Sequence, residues 1–180
     1  MSEILPRERY EDPLKTEKIN GVIFNMAAGT SKHAEAISNL ILDIGNFLRG
    51  KPCKAFTSDL EVHLDEDNTY RPDISVICDF SKMESHGYYS APTLVVEVLS
   101  PSTASNDRGG KFDNYEKYGV KEYLIINPEY LSIEQYALIE GEFKLQAIHF
   151  KRGTEFNSYA FDGLIFSLDA IFEYRQDDNG

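Results

Sequence analysis

The sequence predicts a mixed α/β (α+β) fold in which helices flank a β-sheet, and three features of the chain lead to this class. Apolar residues recur at helical spacing over residues 34–48. Apolar runs typical of strands, some alternating and some continuous, follow over residues 55–64 and 92–99. The order of helix, strands, helix and strands is that of a mixed sheet with a few helices. With 180 residues and a hydrophobic fraction of 42%, the chain is long enough for one domain with its own core.

The N-terminal part of the chain predicts an arm followed by a hairpin. Residues 1–17 are polar and charged and contain two prolines, so we expect an arm there and a single domain over residues 18–180. Residues 18–26 have the pattern of a hairpin. Asn20 and Gly21 supply the residues that a tight two-residue turn prefers.

Periodicity and turn residues predict the other elements. The first helix is expected to begin at Thr30 or Ser31, whose hydroxyl can cap it, and to end at Gly50. A second helix is expected over residues 105–118, with Gly119 ending it. The predicted strands are residues 55–64, 70–78, 92–99, 121–126, 132–139, 142–150 and 161–168, with a polar loop at 79–91 and a hairpin turn at Glu140–Gly141.

The chain is acidic, with a net charge of −12 and a pI near 4.7. This charge counts against tight DNA binding, because such binding depends on Lys and Arg that neutralise phosphates. It counts only weakly against nuclease chemistry, since a local basic cleft or divalent metals held by the acids can offset the overall charge.

The chain shows no apolar run long enough to span a bilayer and no secretory hydrophobic segment at its start. We therefore expect a cytoplasmic protein with no membrane partner. The two cysteines, Cys53 and Cys78, follow no metal-binding spacing. In such a chain we expect them to be small core residues rather than a disulfide.

A carboxylate inside an apolar strand is the main functional signal. Glu97 lies within residues 93–99, which otherwise predict a buried strand, and an unpaired buried ion costs several kcal/mol. A second acid, Asp73, lies on the strand upstream, and Lys111 lies downstream on the second helix. Two acids on adjacent strands are a usual way to hold Mg²⁺ or Mn²⁺, which take oxygen ligands and keep several waters.

Each of these residues also has a simpler explanation. Glu97 could pair with a buried arginine, and Asp73 could be a turn or edge residue after a proline. Lys111 could be a solvated surface lysine that forms an i,i+4 ion pair with Asp107. His33, at the start of the first helix, is explained as a capping or core histidine.

Two stretches of the chain form a recognisable pair of motifs. The first is Arg71-Pro72-Asp73-Ile74-Ser75-Val76, and the second is residues 92–103, which include Glu-Val-Leu-Ser-Pro-Ser-Thr from Glu97. Together they resemble the PD-(D/E)XK nuclease superfamily and, more narrowly, the restriction-endonuclease-like Uma-two family. Residues 107–112 and 115–128 continue the match, as does His33, and the resemblance spans roughly residues 18–170.

The resemblance implies a restriction-endonuclease-like sheet core and a divalent-metal phosphodiesterase site. Asp73 and Glu97 match the acids of the two half-motifs, and they would bind the metal with the backbone carbonyl of Val98. The superfamily's basic pattern has a lysine two residues after the second acid, where this chain has Leu99. Lys111 would be the substitute, reaching the site from the helix.

The sequence and the resemblance together predict a Mg²⁺-dependent (or Mn²⁺-dependent) DNA endonuclease that uses a metal-activated water. Asp73, Glu97 and Lys111 would be catalytic, with His33 and Asp107 as supporting residues. The resemblance also suggests a homodimer, because two related sites can cut two strands. Two alternatives stay open: a nuclease-fold protein that no longer cuts and instead binds or regulates a partner, and a hydrolase of another phosphate ester.

Overall fold

A computed structural model describes residues 15–26, 29–100 and 104–172 of the chain. The longest helix, α1, covers Ser31–Leu48. Three shorter helices follow: α2 Ala104–Asp107, α3 Gly110–Tyr118 and α4 Leu168–Phe172. The strands are β1 Thr16–Ile19, β2 Val22–Asn25, β3 Lys54–Thr57, β4 Val62–Asp65, β5 Asn68–Tyr70, β6 Ile74–Ile77, β7 Met83–Glu84, β8 Gly87–Tyr88, β9 Leu94–Val98, β10 Glu122–Asn127, β11 Ser132–Ile139, β12 Glu142–His149, β13 Glu155–Asn157 and β14 Ile165–Ser167.

The central sheet is mixed, and its strand order is β12-β11-β10-β9-β6-β3. Strands β9 and β10 are parallel and are joined through α2 and α3, whereas their other neighbours pair antiparallel. A second sheet has the order β2-β1-β5-β4-β8-β7, and β13 and β14 form a two-stranded ribbon. The predicted mixed α+β class is confirmed, but the strands are divided among separate sheets rather than gathered in one.

The two faces of the central sheet carry two apolar cores because side chains alternate along each strand. On one face, Leu40 and Ile44 of α1 pack with Val96 and its neighbours on β6 and β10. On the other face, Tyr115 of α3 packs with Val95 and with aromatic residues of β10 and β12. Glu97 lies two residues after Val95 and shares its face of the sheet, so its side chain points towards α3.

Local turn signals predicted both hairpins correctly. Asn20 and Gly21, with φ values of 50° and 80°, connect β1 and β2. Glu140 and Gly141, with φ values of 54° and 83°, connect β11 and β12. The first of these hairpins begins at Thr16, so Glu17, which the sequence placed at the end of the arm, lies inside a strand.

The helix ends also agree with their predicted caps. The Thr30 hydroxyl accepts a hydrogen bond from the His33 backbone N–H at 3.2 Å, which caps α1. Gly119 ends α3 in a left-handed conformation with φ at 88°. The predicted helix over residues 105–118, however, is two helices, α2 and α3, separated at residues 108–109.

Two predicted strands are wrong in extent. Residues 55–64 were expected to form one strand, but the chain turns after Thr57 and its two parts join different sheets as β3 and β4. Residues 70–78 are divided into β5 and β6, with Pro72 between them. A proline has no N–H for a sheet ladder, which accounts for the break.

The predicted polar loop at 79–91 contains the short strands β7 and β8, and the predicted strand at 161–168 is reduced to β14 before α4 begins. Within the described part of the chain, no helix is long and apolar enough to cross a membrane.

The prediction that the two cysteines are free core residues is wrong, because Cys53 and Cys78 form a disulfide. The pairing of β3 with β6 explains this bond. Lys54 lies opposite Ile77 in that antiparallel pair, so the cysteines that flank the pair also lie opposite each other.

Candidate active site

The ends of two adjacent strands bring Asp73 and Glu97 together. Strands β6 and β9 run antiparallel with Ile74 opposite Val96, so the residue before Ile74 lies beside the residue after Val96. The Asp73 backbone N–H donates to Glu97 Oε2 at 3.4 Å, and the Val98 backbone N–H donates to Asp73 Oδ2 at 2.7 Å. The predicted proximity of these two acids is therefore what the structure shows.

Lys111 reaches this acid pair from the first turn of α3. Its Nζ lies 3.1 Å from Glu97 Oε1 and 3.4 Å from Asp107 Oδ1, and its side chain is only 3% exposed. The Tyr115 hydroxyl, one turn further along α3, donates to the same Glu97 oxygen at 2.9 Å. Lys111 is thus a buried cation in contact with Glu97 rather than a solvated helix lysine.

Burial and the neighbouring charges set the protonation of this group. Burial raises the pKa of Glu97 well above its usual value; the Lys111 ammonium opposes that rise, and nearby Asp107 and Asp73 add to it. Burial alone would lower the pKa of Lys111, but the carboxylates around it outweigh burial and raise that pKa well above its usual value. Lys111 is therefore a permanent cation and cannot act as a general base at neutral pH.

His33 lies at the start of α1 and contacts the Asp73 carboxylate of the acid pair. Its Nε2 is 3.3 Å from Asp73 Oδ2. The hydrogen bond to Asp73, the charge of that carboxylate and a hydrogen bond to the Val98 carbonyl raise the pKa of His33, against the opposing effect of burial. Gly29 fits beside this ring because a Cβ there would overlap it. His33 does not cap α1 with its side chain, so the capping explanation is wrong for this residue.

One buried acid of the cluster was missed by the sequence reasoning. Glu17 Oε1 lies 2.8 Å from Lys111 Nζ, which is closer than either predicted partner of that lysine. The alternation in β1, which buries Glu17 and Ile19 and exposes Thr16, is the signal that could have found it. The predicted hairpin begins at residue 18, so it excludes Glu17 from this alternation.

The oxygen atoms near Asp73 are of the kinds that a hydrated Mg²⁺ binds as ligands. Mg²⁺ usually keeps several waters and uses one or two carboxylates, and here Asp73, Glu97 and the Val98 carbonyl lie within one small region. Among the described residues, no group of three or more His, Cys, Asp or Glu side chains is arranged to hold a metal. These residues offer two carboxylates and one carbonyl to a cation that would keep part of its water shell, and they do not form a closed cage.

A mixed central sheet with two helix-joined parallel strands, and with an acid pair and a buried lysine at one end, defines a restriction-endonuclease-like nuclease fold. The chain belongs to the Uma2 family, described as "Putative restriction endonuclease", whose family model matches residues 3–169. The family resemblance drawn from the two motifs is thereby confirmed.

Two relatives and one solved structure are similar to this chain. "Uncharacterized protein slr1290" of Synechocystis sp. (strain ATCC 27184 / PCC 6803 / Kazusa) is 33% identical over 161 residues, covering 88% of this chain and 83% of the relative. "Uncharacterized protein sll1609" of the same strain is 31% identical over 143 residues, covering 75% and 78%. A crystal structure of "a putative nuclease belonging to DUF820" from Anabaena variabilis ATCC 29413 matches with a TM-score of 0.73 and 21% identity, covering 88% of this chain and 89% of that one. This structural match supports the fold.

Proposed function

We propose that this protein is a Mg²⁺-dependent DNA endonuclease that hydrolyses phosphodiester bonds. The observation that carries the proposal is the meeting of Asp73, Glu97 and Lys111. Lys111 lies 14 positions after Glu97 along the chain, yet its ammonium contacts that carboxylate in a buried site. A family and a fold of nuclease type give this arrangement its chemical context.

Asp73, Glu97 and the carbonyl of Val98 would hold the cation. Bound Mg²⁺ supplies charge stabilisation to a phosphoryl group and makes water a better nucleophile at neutral pH. Lys111 keeps its proton, so its part is to hold Glu97 in place by hydrogen bonding and to offset negative charge near the phosphate. His33 holds the Asp73 carboxylate from the other side, and Asp107 holds Lys111 from the end of α2.

A plasmid-cleavage assay tests this proposal. Asp73→Asn and Glu97→Gln should each lower Mg²⁺-dependent cleavage by about a hundredfold or more, because each removes a carboxylate from the cation's ligands. Glu122→Gln is the matched control: Glu122 is fully buried, but its partners are Gln135, Ser158 and the Ala160 N–H. Undiminished cleavage by either site variant, or cleavage that chelators leave unchanged, contradicts the proposal.

A non-catalytic binding module is the second candidate, and one observation favours it. Glu97 already accepts hydrogen bonds from Lys111, Tyr115 and the Asp73 N–H, so protein donors occupy both of its oxygens. The net charge of −12 also opposes contact with duplex DNA. Calorimetric titration with Mn²⁺ separates the candidates. No binding at millimolar metal, together with no cleavage, supports the binding module.

We further propose that the protein is a homodimer that pairs through β2. This strand lies at the edge of its sheet, and Val22, Ile23 and Phe24 are exposed on it. It carries no charged residue, so two copies of an acidic chain can approach there without like-charge repulsion. Light scattering should give a dimer that Ile23→Lys converts to a monomer. A wild-type monomer at micromolar concentration contradicts this proposal.

A further inference from the structure

Glu17 reaches the site from outside the central sheet. It lies on β1, in the second sheet, where its side chain shares the inward face with Ile19 and is 5% exposed. That face packs against the start of α3. A Cβ on Gly110 would lie 2.8 Å from the Ile19 side chain, so β1 and α3 approach closely at the residue before Lys111.

A single oxygen of Glu17 contacts two separate parts of the site. Glu17 Oε1 accepts a hydrogen bond from the Arg71 backbone N–H at 2.8 Å and lies 2.8 Å from Lys111 Nζ. Arg71 is followed directly by Pro72 and Asp73, and the proline ring restricts the backbone between them. The carboxylate therefore fixes the segment that carries Asp73 and the ammonium that contacts Glu97.

We propose that Glu17 is a positioning residue that holds Lys111 against Glu97 and sets the placement of Asp73 relative to both. The proposal rests on the endonuclease function as far as cleavage is concerned, but the placement of Lys111 is a property of the protein alone. Glu17 is the nearest of the three carboxylates around the ammonium, at 2.8 Å compared with 3.1 Å for Glu97 and 3.4 Å for Asp107. Without it, the ammonium keeps its partners Glu97 on the central sheet and Asp107 on α2 and loses the one on β1.

Glu17→Gln separates positioning from simple packing, because glutamine has nearly the same shape and keeps a carbonyl oxygen for Arg71 but loses the charge that holds the ammonium. Glu122→Gln is the control, since it removes a buried carboxylate that does not contact Lys111. Circular dichroism first establishes that both variants fold.

Nuclear magnetic resonance of protein labelled with ¹⁵N-lysine measures the placement directly. A buried, hydrogen-bonded ammonium exchanges slowly, so wild-type protein should show a protected signal that Lys111→Met removes. Glu17→Gln should lose or shift this signal, and Glu122→Gln should leave it unchanged. A folded Glu17→Gln protein with the wild-type signal overturns the proposal.

A measurement on wild-type protein decides the matter if Glu17→Gln does not fold. A nuclear Overhauser contact between the Lys111 ε-methylene and the Glu17 γ-methylene supports the proposal, and its absence overturns it. Neither of these readouts depends on cleavage, so a protein that cuts no DNA would refute the endonuclease function while leaving the placement testable.

Cleavage kinetics test the consequence for the reaction. A displaced Lys111 should lower kcat of Glu17→Gln by about tenfold to a hundredfold, with KM within about twofold, since misplacement of about 1 Å can cost that much in rate. A merely structural role would instead lower the amount of folded protein and leave kcat per folded molecule unchanged. That second result overturns the positioning role.

Discussion

Replacing Lys111 with methionine should destabilise the protein strongly and in a pH-dependent way. Methionine has a similar length and retains the apolar stem but has no ammonium. Three carboxylates, from Glu17, Glu97 and Asp107, would remain around the vacated position, with no cation among them. The wild-type side chains there are between 2% and 5% exposed, so water cannot replace the lost partner.

The expected cost follows from this burial. Removal of one partner from a buried ion pair typically costs about 3–5 kcal/mol, because a charge is left uncompensated in a poorly solvated site. A domain of this size has a free energy of unfolding of about 5–15 kcal/mol, so the variant is expected to lose about a fifth or more of its stability. Lys32→Met is the control. Lys32 pairs with Glu129 at 3.2 Å on the surface, and loss of that exposed pair should cost no more than about 1 kcal/mol.

The cost of Lys111→Met should be larger at pH 8 than at pH 5. Burial already raises the pKa of Glu97 in the wild type, and loss of the ammonium removes the main influence that lowers it. A folded-state pKa above the unfolded value means that the folded state binds more protons, so stability falls as the pH rises from about 4.5 through the folded pKa. At pH 5 the folded variant can protonate Glu97 and relieve part of the repulsion.

Urea unfolding followed by circular dichroism, in buffers that contain a chelator, measures both effects. Equal stability of Lys111→Met and wild type at pH 8 would show that the ammonium is not compensating buried charge. A cost that is the same at pH 5 and pH 8 would show that no carboxylate of the cluster takes up a proton when the lysine is absent. The slope of unfolding against urea should match between variants, so that midpoint shifts report stability.

Three further predictions concern sites around this cluster and away from it. Gly110→Ala should lower stability by about 1–3 kcal/mol in thermal unfolding, because its Cβ would lie 2.8 Å from Ile19 Cγ2; an unchanged melting temperature contradicts that contact. Replacing Cys53 and Cys78 with alanine should cost about 2–4 kcal/mol given their sequence separation of 25, and thiol titration of the unreduced wild type should detect no free thiol. Burial lowers the pKa of His149, so the contribution of His149 to stability should fall as the pH drops below about 6.5, and the difference in stability between wild type and His149→Gln should change over that range.

The hairpins and helix caps were predictable from sequence because their determinants are local. Asn20 and Gly21 adopt positive φ values that few other residue pairs tolerate, and the turn they form does not depend on distant packing. The break between β5 and β6 also has a local cause, Pro72, but the apolar periodicity of residues 70–78 does not show it. The prediction of a single strand over residues 55–64 was wrong because one strand and two strands in separate sheets show the same alternation. Only their pairing with distant strands distinguishes the two cases.

The site was predictable where a local anomaly marked it and not where a partner came from a distant element. Glu97 stands out in an apolar strand, and Asp73 follows a proline at the start of another. The disulfide carries no such mark, and Glu17 carries only the alternation of β1. The contact of Glu17 with Lys111 depends on the packing of β1 on α3, and Cys53 faces Cys78 because of the register between β3 and β6.

Leu99 and Lys111 both lie on the face of the central sheet that carries Glu97. Leu99 lies two residues after Glu97, so its side chain points to the same face, where it is buried in the aromatic core beneath α3. Lys111 approaches that face from α3, and its ammonium lies beside Glu97. Because the lysine comes from α3, position 99 holds an apolar side chain that packs in the buried core. The approach from α3 also places the full length of the lysine side chain in the core, where Glu17 and Asp107 offset the charge. The Glu17 carboxylate is thus the nearest of the negative charges that compensate the buried Lys111 ammonium.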